Sequence, residues 1–447
     1  MGRLFGTDGV RGKAGDPPLD EATVRRLGAA LVLALRHGGE PVRFMVGRDT
    51  RESGAWIERE LARGVRSQGG ELISAGIIPT PAVAFLTPRK GFTAGLVISA
   101  SHNPFEDNGI KVFSGAGEKF TEALERRVES FVGQVDVSSP PAVQQVEQID
   151  YRQDYIGHLK DILPADPRAA TLRVAVDCAN GATTTIAPRL FQELGLEHRC
   201  IGCEPDGRNI NLHCGSTAPQ QLAKTVVSGT YDLGIAYDGD GDRAIFVDAS
   251  GAIVDGDAVM LMCAKHLKAE GRLKGDAIVA TVMSNIGLEI ALREAGIGMV
   301  RCPVGDKHVM EEMLKRDLSL GGEQSGHVIF SDYLFTGDGL ATSLNVLRVM
   351  MATGRSLADL ASELTAYPQV LVNVRVERRI DLASVPEIAA TMAGVESRLA
   401  GQGRLLVRYS GTEPLLRVML EGRDQEEITR WAHEIVDAVK KHAGAAV

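Results

Sequence analysis

The sequence predicts an α/β protein of four domains around a central cleft: three similar mixed α/β domains and a C-terminal α+β domain. β-Rich apolar runs alternate with helical patterns through most of the chain, as they do in βα units. The pattern changes after Tyr367-Pro368, where alternating strands replace the buried ones. With 44% hydrophobic and 24% charged residues among 447, the composition is that of a globular protein with a substantial core.

The first domain is predicted over residues 1–148. Apolar runs predict buried strands at Val42–Gly47, Ala94–Ser99 and Gly109–Phe113. Helical spacing predicts one helix around Trp56–Val65 and another from Phe120 that ends near Gly133. The stretch from Gly133 to Gln148 is rich in Val, Ser, Pro and Gln without a clear period, so we interpret it as a linker.

Three further domains are predicted over residues 149–250, 251–366 and 367–447. In the second and third, apolar runs predict strands at Leu172–Asp177, Leu233–Tyr237 and Ala277–Val282. In the fourth, the pattern predicts strands at Val370–Arg375, Leu405–Arg408 and Leu415–Leu420 and a helix over Pro386–Leu399. A final helix is predicted after Asp424, an N-cap residue with Glu427 three positions on.

Charge and hydropathy argue against several partners. With 49 basic and 58 acidic residues the net charge is −9, which disfavours nucleic acid or an anionic membrane as the main partner. The longest apolar run, Leu27–Leu35, is too short to cross a bilayer, and the N-terminal residues lack the apolar core of a secretory signal. We therefore expect a cytoplasmic protein.

Six cysteines in a chain of this length indicate a reducing compartment rather than a disulfide framework. Cys200 and Cys203 form a C-x-x-C pair, with His198, His213 and Cys214 close by in sequence. Such residues can hold structural zinc, but no second C-x-x-C pair completes the pattern. Buried or incidental thiols are therefore favoured over a zinc site.

The strongest chemical signal is the segment Asp238–Arg243, which directly follows an apolar strand. Asp238, Asp240 and Asp242 alternate with glycines, which let the chain curl until the three carboxylates face one point. Oxygen ligands favour Mg²⁺ or Ca²⁺ over zinc, and the sequence does not fit an EF-hand. A metal site is favoured over a solvated acidic turn, and its open coordination positions could touch a substrate.

A second segment, Ile98–Pro104, also leaves a buried strand and presents Ser101 at its turn. Without a surrounding G-x-S-x-G, a hydrolase nucleophile elbow is unsupported. The side chains of adjacent residues diverge, so the neighbouring His102 is more typical of a turn stabiliser than of a catalytic partner. Lys111 follows on the next strand, where it could return to the same cleft or face solvent.

Two later segments carry polar groups suited to a phosphorylated sugar. Gly322–His327 sets an acid, an amide, a hydroxyl and an imidazole between glycines, a set that can hydrogen-bond sugar hydroxyls or form a plain polar turn. Arg408–Pro414 and Arg417 combine hydroxyls, guanidiniums and a glycine, which favours a phosphate clamp over a hairpin loop. The sequence contains neither a Walker A nor a G-x-G-x-x-G motif.

These four segments, in this order, resemble the α-D-phosphohexomutase family over the whole chain. The opening Phe5–Gly12 and the variant Gly322–His327 resemble its bacterial phosphoglucosamine mutase branch in particular. One departure is Gly305-Asp306-Lys307-His308, where that branch more often has Arg and Tyr after the Asp.

The resemblance implies a role for each matching residue. Ser101 would be the phosphoserine, and its phosphate would join the three aspartates in holding one Mg²⁺ per chain. Lys111 matches the general acid/base, whose pKa burial or nearby cations would have to lower, and His327 matches a second candidate. Arg11 and Arg243, with His102, match supporting residues. The remaining matches are sugar contacts and the clamp on the non-reacting phosphate: Glu323 and Ser325, then Arg408, Ser410, Gly411, Thr412 and Arg417.

The implied reaction is the reversible conversion of glucosamine 6-phosphate to glucosamine 1-phosphate, on the route to UDP-N-acetylglucosamine. Glucosamine 1,6-bisphosphate would be both intermediate and activator, and the fourth domain would rotate near Tyr367-Pro368 while that intermediate turns over. The partner would be a small phosphosugar, and the resemblance leaves open whether the chain forms a homodimer. Alternatives are a phosphomannomutase/phosphoglucomutase, a metal-dependent sugar phosphatase or a non-catalytic sugar-phosphate sensor.

Overall fold

The computed structural model describes residues 4–6, 8–137, 145–163, 167–409 and 415–443. The chain divides into two compact units, Met1–Met283 with Gly296–Glu363 and Ser284–Ala295 with Leu364–Val447. The linker predicted at Gly133–Gln148 falls partly on residues 138–144, which lie outside the described residues. In the described ranges, no helix combines the length and the apolar character needed to cross a membrane.

The first sheet has six strands in the order β1-β5-β4-β2-β3-β6. Its strands are β1 (Val10–Lys13), β2 (Arg43–Arg48), β3 (Glu71–Ile77), β4 (Ala94–Ile98), β5 (Asp107–Ser114) and β6 (Glu147–Gln148). Its helices are α1 (Glu21–Leu35), α2 (Gly54–Ser67), α3 (Thr80–Arg89) and α4 (Glu122–Val132). β4 is buried along its whole length, which explains its continuous apolar sequence. α4 follows the N-cap Thr121 and ends at Val132, beside the Gly133 that the pattern predicted as its end.

The second sheet has the order β11-β10-β9-β7-β8. Its strands are β7 (Arg173–Asp177), β8 (Glu197–Ile201), β9 (Leu233–Tyr237), β10 (Ala244–Asp248) and β11 (Ile253–Val254). The helices of this region are α5 (Arg152–Ile162), α6 (Ala187–Glu193) and α7 (Gln220–Gly229). β7 pairs in parallel with β8 and β9, whereas β10 runs antiparallel to β9.

The third sheet has the order β13-β12-β14-β15. Its strands are β12 (Ala277–Thr281), β13 (Gly298–Cys302), β14 (Leu320–Gly322) and β15 (Val328–Phe330). The helices here are α8 (Gly256–Ala269), α9 (Ile286–Glu294), α10 (Asp306–Arg316), α11 (Gly339–Thr353) and α12 (Leu357–Ala361). α9 belongs to the second compact unit.

The fourth sheet is antiparallel, with the order β16-β18-β17. Its strands are β16 (Gln369–Arg375), β17 (Arg404–Tyr409) and β18 (Leu415–Glu421), and its helices are α13 (Pro386–Leu399) and α14 (Gln425–Ala443). The Asp424 carboxylate accepts the backbone N–H groups of Glu426 and Glu427 at 2.9 Å, so the predicted N-cap is confirmed.

One arrangement recurs in the first three sheets. A parallel strand is followed by an antiparallel neighbour: β4 by β5, β9 by β10, and β14 by β15. The loops inside these three pairs hold Ser101, the aspartates of Asp238–Arg243, and Glu323–His327. The shared position of these loops supports the predicted repetition of one α/β architecture. The predicted domain boundaries stay predictions.

Candidate active site

Ser101 lies in the loop after β4, in a conformation that side-chain-bearing residues rarely adopt. Its φ is +52° and its side chain is buried, and such left-handed geometry persists only when its surroundings enforce it. The Ser101 N–H donates to Ser99 Oγ at 2.9 Å, and its carbonyl accepts from Arg51 and Asn211 side chains, each at 2.9 Å. These contacts direct the Ser101 hydroxyl toward Asp238, whose Oδ2 accepts it at 2.5 Å.

The anchor beneath this loop is a buried ion pair that sequence reasoning missed. Arg51 Nε donates to Asp49 Oδ2 at 3.0 Å, and both side chains are fully buried. Ser99 Oγ donates to the same carboxylate at 2.6 Å. Burial raises the pKa of Asp49, against the opposing charge of Arg51. The signal available in the sequence was the change from the apolar residues of β2 to polar residues directly after it.

The three aspartates of the loop between β9 and β10 converge as predicted. Oxygens of Asp238, Asp240 and Asp242 lie within 4.8 Å of one another, and all three side chains are buried. Gly241 takes a φ of +75°, and a Cβ on Gly239 would lie 2.5 Å from the Ser101 carbonyl oxygen. The alternating glycines therefore serve both the curl of the loop and its close packing against Ser101.

This trio fits a divalent cation. Asp240 Oδ1 and Asp242 Oδ1 are buried and have no hydrogen-bond partner among the described residues. His327 Nδ1 and Arg243 Nε lie 3.7 and 3.8 Å from Asp242 Oδ1, beyond hydrogen-bond distance. Burial and the charges of the other two aspartates raise the pKa of Asp238 well above its usual value. Oxygen-only ligands with this excess of negative charge suit Mg²⁺.

Lys111 joins the aspartates from β5. Its Nζ lies 2.9 Å from Asp240 Oδ2, 3.3 Å from Asp242 Oδ2 and 3.2 Å from Asp8 Oδ2. Burial opposes the Lys111 charge, but these three carboxylates outweigh it and hold the pKa well above its usual value. The expectation that burial or nearby cations lower this pKa is therefore wrong for the residue as it stands. A cation bound by the aspartates would weaken these ion pairs.

A wider charge network surrounds Lys111. Asp8 Oδ2 accepts from Arg11 Nη2 at 2.6 Å, and Asp8 Oδ1 accepts from Lys119 Nζ at 2.6 Å. Lys119 also pairs with Asp306, which begins α10. Burial raises the pKa of Asp8, but Lys111, Lys119 and Arg11 lower it well below its usual value. Asp8 and Asp306 lie in two segments that the sequence analysis singled out, Phe5–Gly12 and the four residues from Gly305. Their pairing through Lys119 could not be predicted, because it depends on the fold.

His327 lies buried beside Asp242. Its Nε2 accepts the Gly337 backbone N–H at 3.0 Å, so in this arrangement the ring is neutral and its proton is on Nδ1, toward Asp242. Burial lowers the pKa of His327, but Asp242 and Asp306 raise it above its usual value. The ring is therefore positioned to gain or lose a proton.

A cavity of about 640 Å³ adjoins these groups. Its lining includes Ser101, Arg11, Arg243 and Glu323, and its volume suits a small ligand. Ser325 lies exposed, with its hydroxyl 3.4 Å from Glu323 Oε2. His102 Nδ1 lies 3.3 Å from Ser101 Oγ, and burial followed by the charges of Arg243 and Arg11 lowers the His102 pKa.

The predicted phosphate clamp lies in the second compact unit. Arg408 on β17 and Arg417 on β18 face each other directly in the antiparallel register. Like charges placed opposite each other repel, so a bound anion would stabilise this pair. Ser410, Gly411 and Thr412 lie outside the described residues.

Family models cover nearly the whole chain. Four models, described as domains I, II, III and C-terminal domain of phosphoglucomutase/phosphomannomutase, match residues 2–137, 153–251, 255–367 and 371–438.

The chain belongs to the phosphoglucomutase/phosphomannomutase family. The predicted α-D-phosphohexomutase resemblance, the four-domain α/β fold class and the isomerase class are thereby confirmed. Within the family, the chain is 48% identical to the phosphoglucosamine mutase of Solibacter usitatus, over 99% of each chain. It is 47% identical to that of Syntrophotalea carbinolica, over 99% of this chain and 98% of the relative. These relatives carry the name of the branch predicted from the sequence.

Solved structures of the family share the fold. A phosphoglucomutase/phosphomannomutase family protein from Burkholderia thailandensis matches with a TM-score of 0.82 and 24% identity, over 99% of this chain and 98% of the other. The Aspergillus fumigatus N-acetylphosphoglucosamine mutase, solved in complex with GlcNAc-6P and magnesium, matches with a TM-score of 0.62 and 18% identity, over 98% and 96%. At these identities the likeness concerns the fold.

Proposed function

We propose that this family member interconverts glucosamine 6-phosphate and glucosamine 1-phosphate through a phosphorylated Ser101. The main support for this proposal is the strained, buried Ser101, whose hydroxyl donates to Asp238 at 2.5 Å beside the other two aspartates. A hydroxyl in this position can exchange a phosphoryl group with a ligand in the adjoining cavity. The names of the bacterial relatives support glucosamine as the sugar.

The reaction consists of two successive phosphoryl transfers. In the first, the bond between phosphorus and Ser101 Oγ breaks, the free sugar hydroxyl bonds to phosphorus, and the hydroxyl proton ends on Ser101 Oγ. The product is glucosamine 1,6-bisphosphate. After this intermediate turns end for end, Ser101 Oγ takes the other phosphoryl group and its proton passes to the sugar oxygen. The dephosphorylated form is the one with the Ser101 hydroxyl hydrogen-bonded to Asp238.

Asp238, Asp240 and Asp242, with a phosphate oxygen on Ser101, would hold one Mg²⁺ per chain. When bound, the ion offsets negative charge on the transferring phosphoryl group. The buried carboxylate oxygens without hydrogen-bond partners in the described part of the chain support this assignment. Arg11 and Arg243 line the same cavity and add positive charge toward a phosphate.

Lys111 and His327 handle protons in this proposal. The carboxylates around Lys111 keep it protonated, so it acts as a proton donor or as a fixed positive charge. The neutral His327 ring has its lone pair on Nε2, where it accepts the Gly337 N–H, so Nε2 is the atom at which His327 can take up a proton.

The remaining predicted residues bind the substrate. Glu323 lines the cavity and has Ser325 beside it, so both can hydrogen-bond sugar hydroxyls. Arg408 and Arg417, with Ser410, Gly411 and Thr412, would bind the phosphate that does not react. The ligand is thus a small phosphosugar, and six free thiols suit a cytoplasmic setting.

The deciding experiment combines mass spectrometry with kinetics on Ser101→Ala. We expect the wild-type chain to carry one phosphate on Ser101 by peptide mapping, and the variant to carry none and to lose more than about 10⁴-fold in kcat. Ser130→Ala, which removes an exposed hydroxyl on α4, is the control and should keep both properties. Native turnover by Ser101→Ala would refute the proposal.

A panel of glucosamine, glucose and mannose phosphates separates the substrate alternatives. We expect the highest kcat/KM for glucosamine phosphates. A preference for glucose or mannose phosphates would make this chain a phosphoglucomutase/phosphomannomutase, the function in the family-model descriptions. Steady release of inorganic phosphate would instead indicate a phosphatase.

A further inference from the structure

Three cysteines from the ends of two neighbouring strands come together in the second sheet. The sulfur atoms of Cys178, Cys200 and Cys203 lie within 4.8 Å of one another. Cys178 is the residue after β7, while Cys200 lies in β8 and Cys203 follows it. The sequence pointed to His198, His213 and Cys214 as neighbours of the C-x-x-C pair, whereas the residue that joins the pair is Cys178, at the end of the neighbouring strand.

The backbone fixes this convergence. β7 and β8 pair in parallel up to Asp177 and Ile201, and the Cys178 N–H continues the pairing by donating to the Ile201 carbonyl at 3.0 Å. Gly202 then turns with a φ of +60°, which returns Cys203 toward Cys200. The cluster is therefore built on the ends of two paired strands rather than on a free loop.

The three thiols differ in burial. Cys178 is fully buried, whereas Cys200 and Cys203 are partly exposed, so the cluster has a closed side and an open side. Cys203 Sγ donates to the Ile201 carbonyl at 3.4 Å, which holds this side chain at the end of β8. A metal ion could therefore enter from the open side.

We propose that Cys178, Cys200 and Cys203 form a zinc site, with the fourth coordination position open to water or an added ligand. Thiolates are ligands that Zn²⁺ prefers, and a tetrahedral ion with bonds of about 2.3 Å holds sulfur atoms roughly 3.8 Å apart. The present sulfur–sulfur distances, all within 4.8 Å, exceed this spacing by at most about 1 Å. Mg²⁺ prefers oxygen ligands, so the two sites do not compete.

Zinc would stabilise the turn that contacts the loop between β9 and β10, which carries the three aspartates. The turn from Cys178 leads to Ala182, whose N–H donates to the Gly239 carbonyl at 2.8 Å. A Cβ on Gly181 would lie 2.3 Å from that same oxygen, so the two segments are in direct contact. The site is distinct from the aspartate trio, and its occupancy can be measured without turnover.

The test uses the reduced full chain, with Co²⁺ as a spectroscopic probe and zinc analysis by mass spectrometry. We expect one equivalent of tightly held zinc, and on Co²⁺ addition a thiolate-to-cobalt charge-transfer absorption that excess Mg²⁺ does not remove. Cys178→Ser, Cys200→Ser and Cys203→Ser should each weaken binding by more than the roughly 10–100-fold that changes in outer-shell partners cause. Cys263→Ser, at a buried thiol of α8, is the matched control and should bind as the wild type does.

Two results would overturn the zinc site. One is wild-type protein that gives no thiolate absorption with Co²⁺ and keeps no more zinc than Cys200→Ser. The other is a disulfide among the three cysteines whose reduction restores no metal binding. Because the cobalt titration is made on the wild-type chain, the answer does not depend on how well the variants fold. Asp240→Asn should keep the absorption, which separates this site from the aspartates.

Discussion

The buried Arg51–Asp49 pair gives the sharpest stability prediction. Arg51 is almost completely buried, and its guanidinium donates to Asp49 and to the carbonyl oxygens of Ser101, Asn103 and Pro104 at 2.6–3.0 Å. Arg51→Ala leaves the Asp49 carboxylate buried without its counter-charge. Removing one partner of a buried pair costs about 3–5 kcal/mol, and we expect a loss in this range.

Arg43 provides a matched control for Arg51. It pairs with Glu71 at 2.7 Å, but the two side chains are 42% and 49% exposed. An exposed pair contributes roughly 0–1 kcal/mol, so Arg43→Ala should be nearly neutral. Arg51→Ala should also lower kcat, because the Ser101 carbonyl loses the Arg51 guanidinium that holds it. Adding Asp49→Asn removes the uncompensated charge and should restore part of the lost stability. It should not restore kcat, because the contact between Arg51 and Ser101 is still missing.

Urea unfolding followed by tryptophan fluorescence can measure the loss of stability in the part of the chain around Arg51. The chain has only two tryptophans, Trp56 and Trp431, and Trp56 lies in α2, close in sequence to Arg51. In a Trp431→Phe background, the signal therefore reports on the first sheet and its helices. If Arg51→Ala unfolds at the same urea concentration as Arg43→Ala, the reasoning about the buried charge is wrong.

Two further predictions concern pH and substrate binding. His158 stacks on Phe85 with ring centroids 3.9 Å apart, and burial, then the charge of Arg89, lowers its pKa to about 4. Since the unfolded chain binds this proton near pH 6.5 and the folded chain does not, stability should fall by about 1–3 kcal/mol as pH drops from 6.5 to 4. Urea titrations at several pH values should show a flatter dependence in His158→Gln, and an unchanged slope would contradict this. Ser325→Ala should lower kcat/KM up to about 10-fold, the effect of losing one hydrogen bond to the substrate. The melting temperature should stay unchanged, because the Ser325 side chain is exposed. A drop in melting temperature would assign Ser325 a structural role instead.

Much of the fold could be predicted because its signals are local. The continuous apolar sequence of β4 follows from its burial on both faces, and the alternation of β16 follows from an antiparallel sheet with one exposed face. The N-cap of α14 could be predicted for the same reason, since Asp424 accepts the N–H of Glu427, only three positions on. Lys111 shows the limit: its position on a strand was predicted, but the direction of its pKa shift depends on three carboxylates from two distant segments.

The secondary-structure elements, the family motifs and the spacing of Asp238, Asp240 and Asp242 could be predicted from the order of the amino acids, because each depends on residues close along the chain. Contacts between distant groups depend on the three-dimensional fold. Arg51 reaches the carbonyl of Ser101, Lys119 joins Asp8 to Asp306, and Cys178 completes a cluster with Cys200 and Cys203. The physical reason is that neighbouring strands bring their ends to one edge of a sheet whatever their separation in sequence, and a local pattern carries no record of that pairing.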